Sequence, residues 1–198
     1  MSDIAMKERA LLGAFVSFVE AGTEVDGIIA DAETVAAVTG PPAVAGRGRP
    51  DDSPTSNWPD LGAIENAKFA VKESNETFLT PNRSGDYDEE EDDWVRADML
   101  DLKTNHMSEP AYRLLFGLPS VIVPGTAQEA HSSRARKIKG WLKVSMIEGG
   151  GDERVLMYWW CELRLKDAPD VTDKTMRPTF TVKKLRSSLN EANFPVAA

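Results

Sequence analysis

The chain contains few residues of the types that catalytic and metal sites use. Cys161 is the single cysteine among 198 residues, which excludes an internal disulfide and favours a reducing compartment. The two histidines, His106 and His131, lie outside any zinc-binding pattern such as HExxH. No nucleophile elbow, Walker A loop or dinucleotide glycine fingerprint occurs. The sequence therefore predicts no catalytic residue, no metal site and no cofactor, and it indicates a protein that is not an enzyme.

Basic charge and long apolar runs are also scarce. The chain has 23 basic and 32 acidic residues and a formal net charge of -9, which argues against a broad basic face for duplex DNA. No apolar run approaches the roughly 18–20 residues that a membrane-spanning helix needs. Lys7, Glu8 and Arg9 interrupt the short apolar start, which is unlike a secretory signal. We expect a chain that is synthesised and folded in a cytoplasm.

The charge that is present is unevenly divided. Residues 1–130 contain 24 acidic and 10 basic residues, whereas residues 131–198 contain 13 basic and 8 acidic residues. Such a division gives either a dipolar surface or opposed faces that attract copies of the same chain.

Apolar alternation predicts a mainly β domain over residues 57–198. Residues 65–74 and 76–81 form two short strands, the first with Ala67, Phe69 and Val71 facing a core. Residues 138–147 alternate apolar and polar positions, and residues 154–165 form the most apolar strand, buried on both faces. The Gly-rich residues 148–153 join these two strands as a hairpin. A last strand contains Phe180, Val182 and Leu185.

The apolar strand also contains Cys161 and the pair Trp159-Trp160. We expect Cys161 to be an inert, buried thiol and not a nucleophile. At strand spacing, we expect one ring of the tryptophan pair to lie in the core and the other to lie in a contact between sheets or between subunits.

One helix and an N-terminal extension complete the predicted architecture. Ser108 is a suitable N-cap, Pro110 is tolerated in the first turn, and Gly117 suits the C-terminal cap of a short helix. Residues 1–56 are rich in Ala, Gly and Pro, and we interpret them as a partly irregular extension with a short helix from about Asp31 to Gly40.

The most unusual segment places seven carboxylates within the eight residues from Asp86 to Asp93. We interpret residues 81–93 as an extended loop. An EF-hand fails because position six from Asp86 is Glu91 and position twelve is Ala97. A weak cation site, a solvated loop and a contact between subunits are the alternatives. Under the contact hypothesis, the acidic residues Asp86, Asp88, Glu89, Glu90, Glu91, Asp92 and Asp93 meet the basic residues Arg134, Arg136, Lys137 and Lys139 of another copy.

The order of segments resembles the tail tube (major tail) proteins of long-tailed bacteriophages. The resemblance covers roughly residues 57–188. It is carried by "NWPDLGAIENAKFAVKES", "TPNRSGDY", "DMLDLKTN" and "MSEPAYRLLFG". In that family, a strand with a "DLG" opening is followed by an extended loop and by a second strand that leads into a short helix.

The resemblance implies a β-sandwich or barrel-forming tail tube domain with one flanking helix. Six such subunits form a ring, and stacked rings form a tube with a tape-measure protein and other tail proteins. Viral DNA passes through the lumen without specific binding, and the protein is located in the virion. Ring closure would cover the sheet edges that a hairpin of residues 138–147 and 154–165 exposes.

The sequence leaves three other function classes open. A ring-forming tail completion or terminator protein of the same virion is the main alternative. A monomeric binding module would stay monomeric at high concentration. A carboxylate-metal hydrolase would need convergent acids on rigid strands, whereas most acids here fall in one segment.

Overall fold

The computed structural model describes residues 11–41, 43–52, 58–81, 87–105, 108–116, 137–148, 153–167 and 177–192. Within these residues the chain forms ten strands and one helix. The strands are β1 (Leu11–Glu20), β2 (Glu24–Val25), β3 (Ile28–Ala30), β4 (Gly46–Gly48), β5 (Asp60–Pro81), β6 (Tyr87–Thr104), β7 (Lys137–Glu148), β8 (Glu153–Asp167), β9 (Thr179–Lys184) and β10 (Glu191–Ala192), and the helix is α1 (Glu109–Phe116). The prediction of a mainly β protein is confirmed.

Six strands close into an antiparallel barrel within one subunit. Their order is β8-β7-β1-β5-β6-β9, and β9 pairs back onto β8 to complete the ring. The predicted hairpin is present, since β7 and β8 pair from Lys137↔Arg164 to Ile147↔Glu153. Its edges are not open, however, because β1 covers β7 while β9 and β10 cover β8. The expectation that this hairpin needs a neighbouring subunit to cover its edges is therefore wrong.

Strand alternation sends one set of apolar side chains into the barrel. Val16, Leu100, Leu142, Leu163 and Val182 are each at most 1% exposed and belong to one interior cluster. At about 25 cal/mol per Å² of buried apolar area, this cluster is the main source of folding stability. The interior face predicted for residues 138–147 is confirmed, and Phe180 and Val182 of the predicted last strand also lie in this cluster.

A second apolar cluster lies on the outer face of the barrel. Trp141, Tyr158 and Trp160 project outward from β7 and β8, where Val25 and Ala30 of the small sheet β2-β3-β4 pack on them. The Trp141 indole donates a hydrogen bond to the Asp31 carbonyl at 2.8 Å. The described residues between β1 and β5, 21–41 and 43–52, therefore cover one side of the barrel and are named here the N-terminal cover.

The N-terminal region differs from its interpretation as an extension. Residues 11–20 lie in that range, yet they form β1, an inner strand between β5 and β7. The short helix predicted from Asp31 is wrong. Val35 and Val38 instead make backbone bridges to Arg47 and Val44 at 2.8–3.0 Å. This pairing with residues farther along the chain overrides a weak helical tendency.

Helix α1 seals one end of the barrel. It begins directly after Ser108, as predicted, and Ala111 and Leu114 join the barrel interior. The Ser108 hydroxyl is buried but makes no hydrogen bond, so the helix start does not depend on it as a side-chain cap. Arg113 makes two hydrogen bonds to the Glu20 carboxylate, at 2.5 and 3.1 Å. This contact places α1 at the end of the barrel where β1 finishes.

Candidate assembly surface

At the opposite end, β5 and β6 leave the barrel as a two-stranded ribbon, named here the arm (residues 71–81 and 87–98). β5 pairs with β1 only between Asp60 and Ala63, and β6 pairs with β9 only between Met99 and Lys103. Beyond those points the two strands pair with each other as far as Pro81↔Tyr87. At about 3.3 Å per residue, the arm extends roughly 35–40 Å past the barrel. The outer backbone edges of the arm pair with no other described strand and can accept a neighbouring chain.

The acidic run lies in this arm and not in a loop. Asp88 to Asp93 belong to β6 and pair with residues 75–80 of β5, whereas Asp86 lies outside the described residues. The partner segment contains Thr77, Phe78 and Thr80, which favour strands. The loop interpretation is wrong for residues 87–93, because backbone pairing with a distant segment outweighs charge repulsion within the run. Residues 82–86 of the predicted loop lie outside the described residues. The two short strands predicted for residues 65–74 and 76–81 are likewise one continuous strand.

The root of the arm exposes an aromatic side chain that the sequence placed in the core. Phe69 pairs with Leu100 but is 63% exposed, because β5 has separated from β1 at this point. Its ring meets the edge of Trp159 with centroids 5.9 Å apart. The Lys184 ammonium lies 5.3 Å from the Trp159 centroid and 3.2 Å from Asp98. The open end of the barrel therefore presents an apolar ring beside an ion pair.

Of the four basic residues in the contact hypothesis, two fall within the described chain. Lys137 and Lys139 begin β7 and are exposed, whereas Arg134 and Arg136 lie outside the described residues. The Lys137 ammonium pairs with Glu162 at 3.4 Å. The structure therefore places Lys137 against the barrel, and its pairing with the acidic run of another copy stays a prediction.

Glu162 is a largely buried carboxylate held by two bases. Burial alone raises its pKa, but hydrogen bonds and charges from Arg164 and Lys137 outweigh that effect and hold the pKa below the ordinary value of 4.5. The charged form therefore stabilises the fold above pH 4.5, and this contribution is lost as pH falls through the lowered pKa.

We expect Glu162→Gln to reduce the melting temperature at pH 7 and to have almost no effect at strongly acidic pH, where the wild-type side chain is protonated too. Thermal unfolding of both proteins across this pH range measures the difference. Glu153→Gln is the control, because Glu153 is 55% exposed and lies 3.7 Å from Lys143. A Glu162→Gln effect that stays constant with pH would contradict the assignment.

A charge cluster fastens the N-terminal cover to the barrel. The Asp52 carboxylate accepts hydrogen bonds from Lys143 at 2.8 Å and from the Tyr158 hydroxyl at 2.7 Å. Arg49 stacks over the Tyr158 ring at 4.3 Å and pairs with Glu191 at 2.8 Å. Burial, and then the bond to Asp52, raises the pKa of Tyr158 well above its usual range, so the phenol stays protonated and donates. We name Asp52, Lys143 and Tyr158 the clamp.

The structure tests the predictions made for Cys161 and for the pair Trp159-Trp160. Cys161 is fully buried, and burial raises the pKa of its thiol far above the usual range, as expected of an inert core thiol. Trp159 lies in the barrel interior, while Trp160 packs on Trp141 in the outer cluster. Both predictions are confirmed.

Across the described part of the chain, no three His, Cys, Asp or Glu side chains group closely enough to hold a metal ion. Both histidines lie outside that part. The described residues also contain no helix of the length and apolarity needed to span a membrane. Among protein-family models none matches the chain, and no curated protein shows significant similarity to it.

Proposed function

We propose that the protein is a structural subunit that assembles into stacked, hexameric rings and forms the tail tube of a long-tailed bacteriophage. The observation that supports this proposal best is a closed barrel from which a long two-stranded arm projects. A subunit of this shape has a rigid body that can form a ring and an extension that can reach the next ring.

The distribution of unpaired backbone makes the arm the main assembly element. Each barrel strand pairs with a strand on both sides over at least part of its length, so the barrel offers less open edge to a neighbour than the arm does. The arm has outer backbone edges along residues 71–81 and 87–98 that no other described strand pairs with. Strand addition along one of these edges combines directional hydrogen bonds with side-chain contacts.

The overall charge is compatible with a conduit for DNA. A formal charge of -9 on each subunit gives a hexameric ring a strongly negative surface. Like charges repel at short range even under physiological screening, so phosphates would pass through such a lumen without binding. Under this proposal the subunit acts in the virion tail, together with a tape-measure protein and other tail proteins.

Self-association of the purified protein tests the proposal. We expect rings and filaments in negative-stain microscopy, and sedimentation coefficients that increase with protein concentration. Isolated rings that do not elongate would indicate a terminator function. A strict monomer at millimolar concentration would overturn the proposal and favour a binding module.

A shortened arm provides a sharper test of the same proposal. In this variant residues 75–94 are deleted, and Ser74 is joined to Val95 by the dipeptide Asn-Gly. Ser74 and Val95 are register partners, so Asn-Gly can form a two-residue hairpin turn between them. We expect this variant to form no filaments and to unfold at the wild-type temperature, because the removed part of the arm pairs only with itself. Normal filaments from the shortened protein would show that assembly does not use the arm.

A further inference from the structure

A patch of ion pairs lies on the outer face of the barrel, away from the N-terminal cover. We name it the basic belt. Its basic members are Lys68, Lys103, Lys137, Arg164, Lys166, Arg177 and Lys183, and its acidic members are Glu65, Asp101 and Glu162.

Each carboxylate of the belt is shared by more than one base. Glu65 pairs with Lys103 at 3.3 Å and with Arg177 at 3.1 Å. Glu162 pairs with Lys137 at 3.4 Å and with Arg164.

Asp101 also lies close to more than one base, and its pKa is lowered as a result. It pairs with Lys166 at 2.6 Å and accepts a hydrogen bond from Thr181 at 2.9 Å, and Lys68 stands opposite it in the strand register. The hydrogen bond from Lys166, more than the opposing effect of burial, lowers the pKa of Asp101. Lys166 and Arg177 make further polar contacts as well. If these two residues are left out, the belt still contains five bases and three acids, so its excess of basic charge does not depend on them.

The acids lie closer to the sheet than the bases do. The Glu162 side chain is 7% exposed, whereas that of Arg164 is 54% exposed. The Asp101 side chain is 30% exposed and that of Lys166 is 48% exposed. A partner approaching this face therefore meets guanidinium and ammonium groups before it meets carboxylates.

We infer that the basic belt is the docking surface for the acidic run, Asp88 to Asp93, on the arm of a second copy. The run has six carboxylates in six residues and the belt has an excess of bases, so the two surfaces are complementary in charge. This inference rests on the proposed self-assembly and identifies which surfaces meet.

The geometry of the strand makes the contact intermolecular. Asp101 of the belt and the acidic run belong to the same strand β6, with Asp93 eight residues and Asp88 thirteen residues before Asp101. In an extended strand these separations correspond to roughly 25–45 Å. The run therefore cannot reach the belt of its own subunit, but the arm of a neighbouring subunit can.

Cross-linking between two single variants tests the contact directly. A Glu90→Cys protein is mixed with a Lys183→Cys protein and treated with a short bis-maleimide. The native Cys161 does not react because it is fully buried. We expect a cross-linked heterodimer from this mixture and none from a control mixture of Glu90→Cys with Arg47→Cys, since Arg47 is 54% exposed and lies in β4, outside the belt.

Charge reversal gives a second measurement. Lys68→Glu with Lys183→Glu is expected to raise the concentration needed for assembly about tenfold, with partial recovery when Glu89→Lys and Glu90→Lys are added. The matched control, Arg47→Glu with Arg186→Glu, changes the net charge equally at exposed positions outside the belt, and we expect less than about a twofold effect.

The outcomes separate this inference from the proposed function. Filaments without the Glu90→Cys and Lys183→Cys cross-link would overturn the docking surface and leave the tube proposal standing. The cross-link without filaments would support the docking surface and overturn the tube. A belt variant that assembles normally but loses binding to a DNA duplex at low salt would show that the belt binds nucleic acid, and would also overturn the inference. A monomer that forms no cross-link would overturn both proposals.

Discussion

Replacing Gly140 with alanine is expected to destabilise the barrel by on the order of 3 kcal/mol or more, or to prevent folding. A Cβ atom at this position would lie 2.1 Å from the Val19 carbonyl oxygen and 2.9 Å from the carbonyl carbon. Both atoms belong to the backbone of β1, which pairs with β7 through Glu20↔Gly140. Relief of the clash therefore requires the two strands to separate. Urea unfolding followed by tryptophan fluorescence measures the loss.

Gly13→Ala is the matched control for this substitution. Gly13 lies in the same strand pair, but its added Cβ would meet only the Phe15 ring, at 3.6 Å or more. That distance is an ordinary van der Waals contact, so we expect a change below about 1 kcal/mol. Equal effects of the two substitutions would show that the approach of β1 to β7 at Gly140 is not as close as described.

Removing the central carboxylate of the clamp is expected to have the second largest effect. Asp52→Ala removes the hydrogen-bond acceptor of Tyr158 and the nearest anion of Lys143, whose side chain is 10% exposed. Loss of one partner from a largely buried pair leaves an uncompensated charge, and we expect a loss of about 2–3 kcal/mol. Amide hydrogen exchange in residues 21–52 should become faster as well, because the clamp fastens this cover to the barrel.

Two further variants distinguish the clamp from a general effect of charge. Asp51→Ala removes the neighbouring carboxylate, which is exposed and bonds only to the Asp52 amide among its described contacts, so its effect should stay below about 0.5 kcal/mol. Asp52→Ala combined with Lys143→Met removes both charges and should recover part of the lost stability. A double variant that is less stable than Asp52→Ala would show that Lys143 stabilises the barrel independently of Asp52.

The clamp and the assembly surfaces occupy different sides of the subunit. The clamp fixes the N-terminal cover over the middle of β7 and β8, whereas the basic belt lies over β5, β6, β9, the start of β7 and the C-terminal half of β8. Because the cover already buries Trp141 and Trp160, that side offers little aromatic surface to a neighbour. The arm and the belt are therefore the elements through which we expect copies to meet.

The sequence alone determined the features that depend on local pattern. Alternation of apolar residues predicted β7 and its interior face, because a strand with one buried face imposes a period of two. A continuous apolar run predicted β8 as a strand that is buried on both faces. The start of α1 after Ser108 was also predicted, although the Ser108 hydroxyl does not make the capping hydrogen bond on which that prediction relied. Burial of Cys161 followed from the apolar run of β8, and the division of the tryptophan pair followed from the opposite directions of adjacent side chains in a strand.

Tertiary structure alone decided the features that depend on distant pairing. The acidic run became a strand because residues 75–80 pair with it, and Phe69 became exposed because β5 leaves β1. Residues 11–20 became an inner strand through β5 and β7, which follow much later in the chain. The clamp joins residues that are separated by 91 and by 106 positions in the chain, and the basic belt combines side chains from five strands. The local sequence pattern does not identify such distant partners, because these contacts contribute free energy only once the barrel has closed.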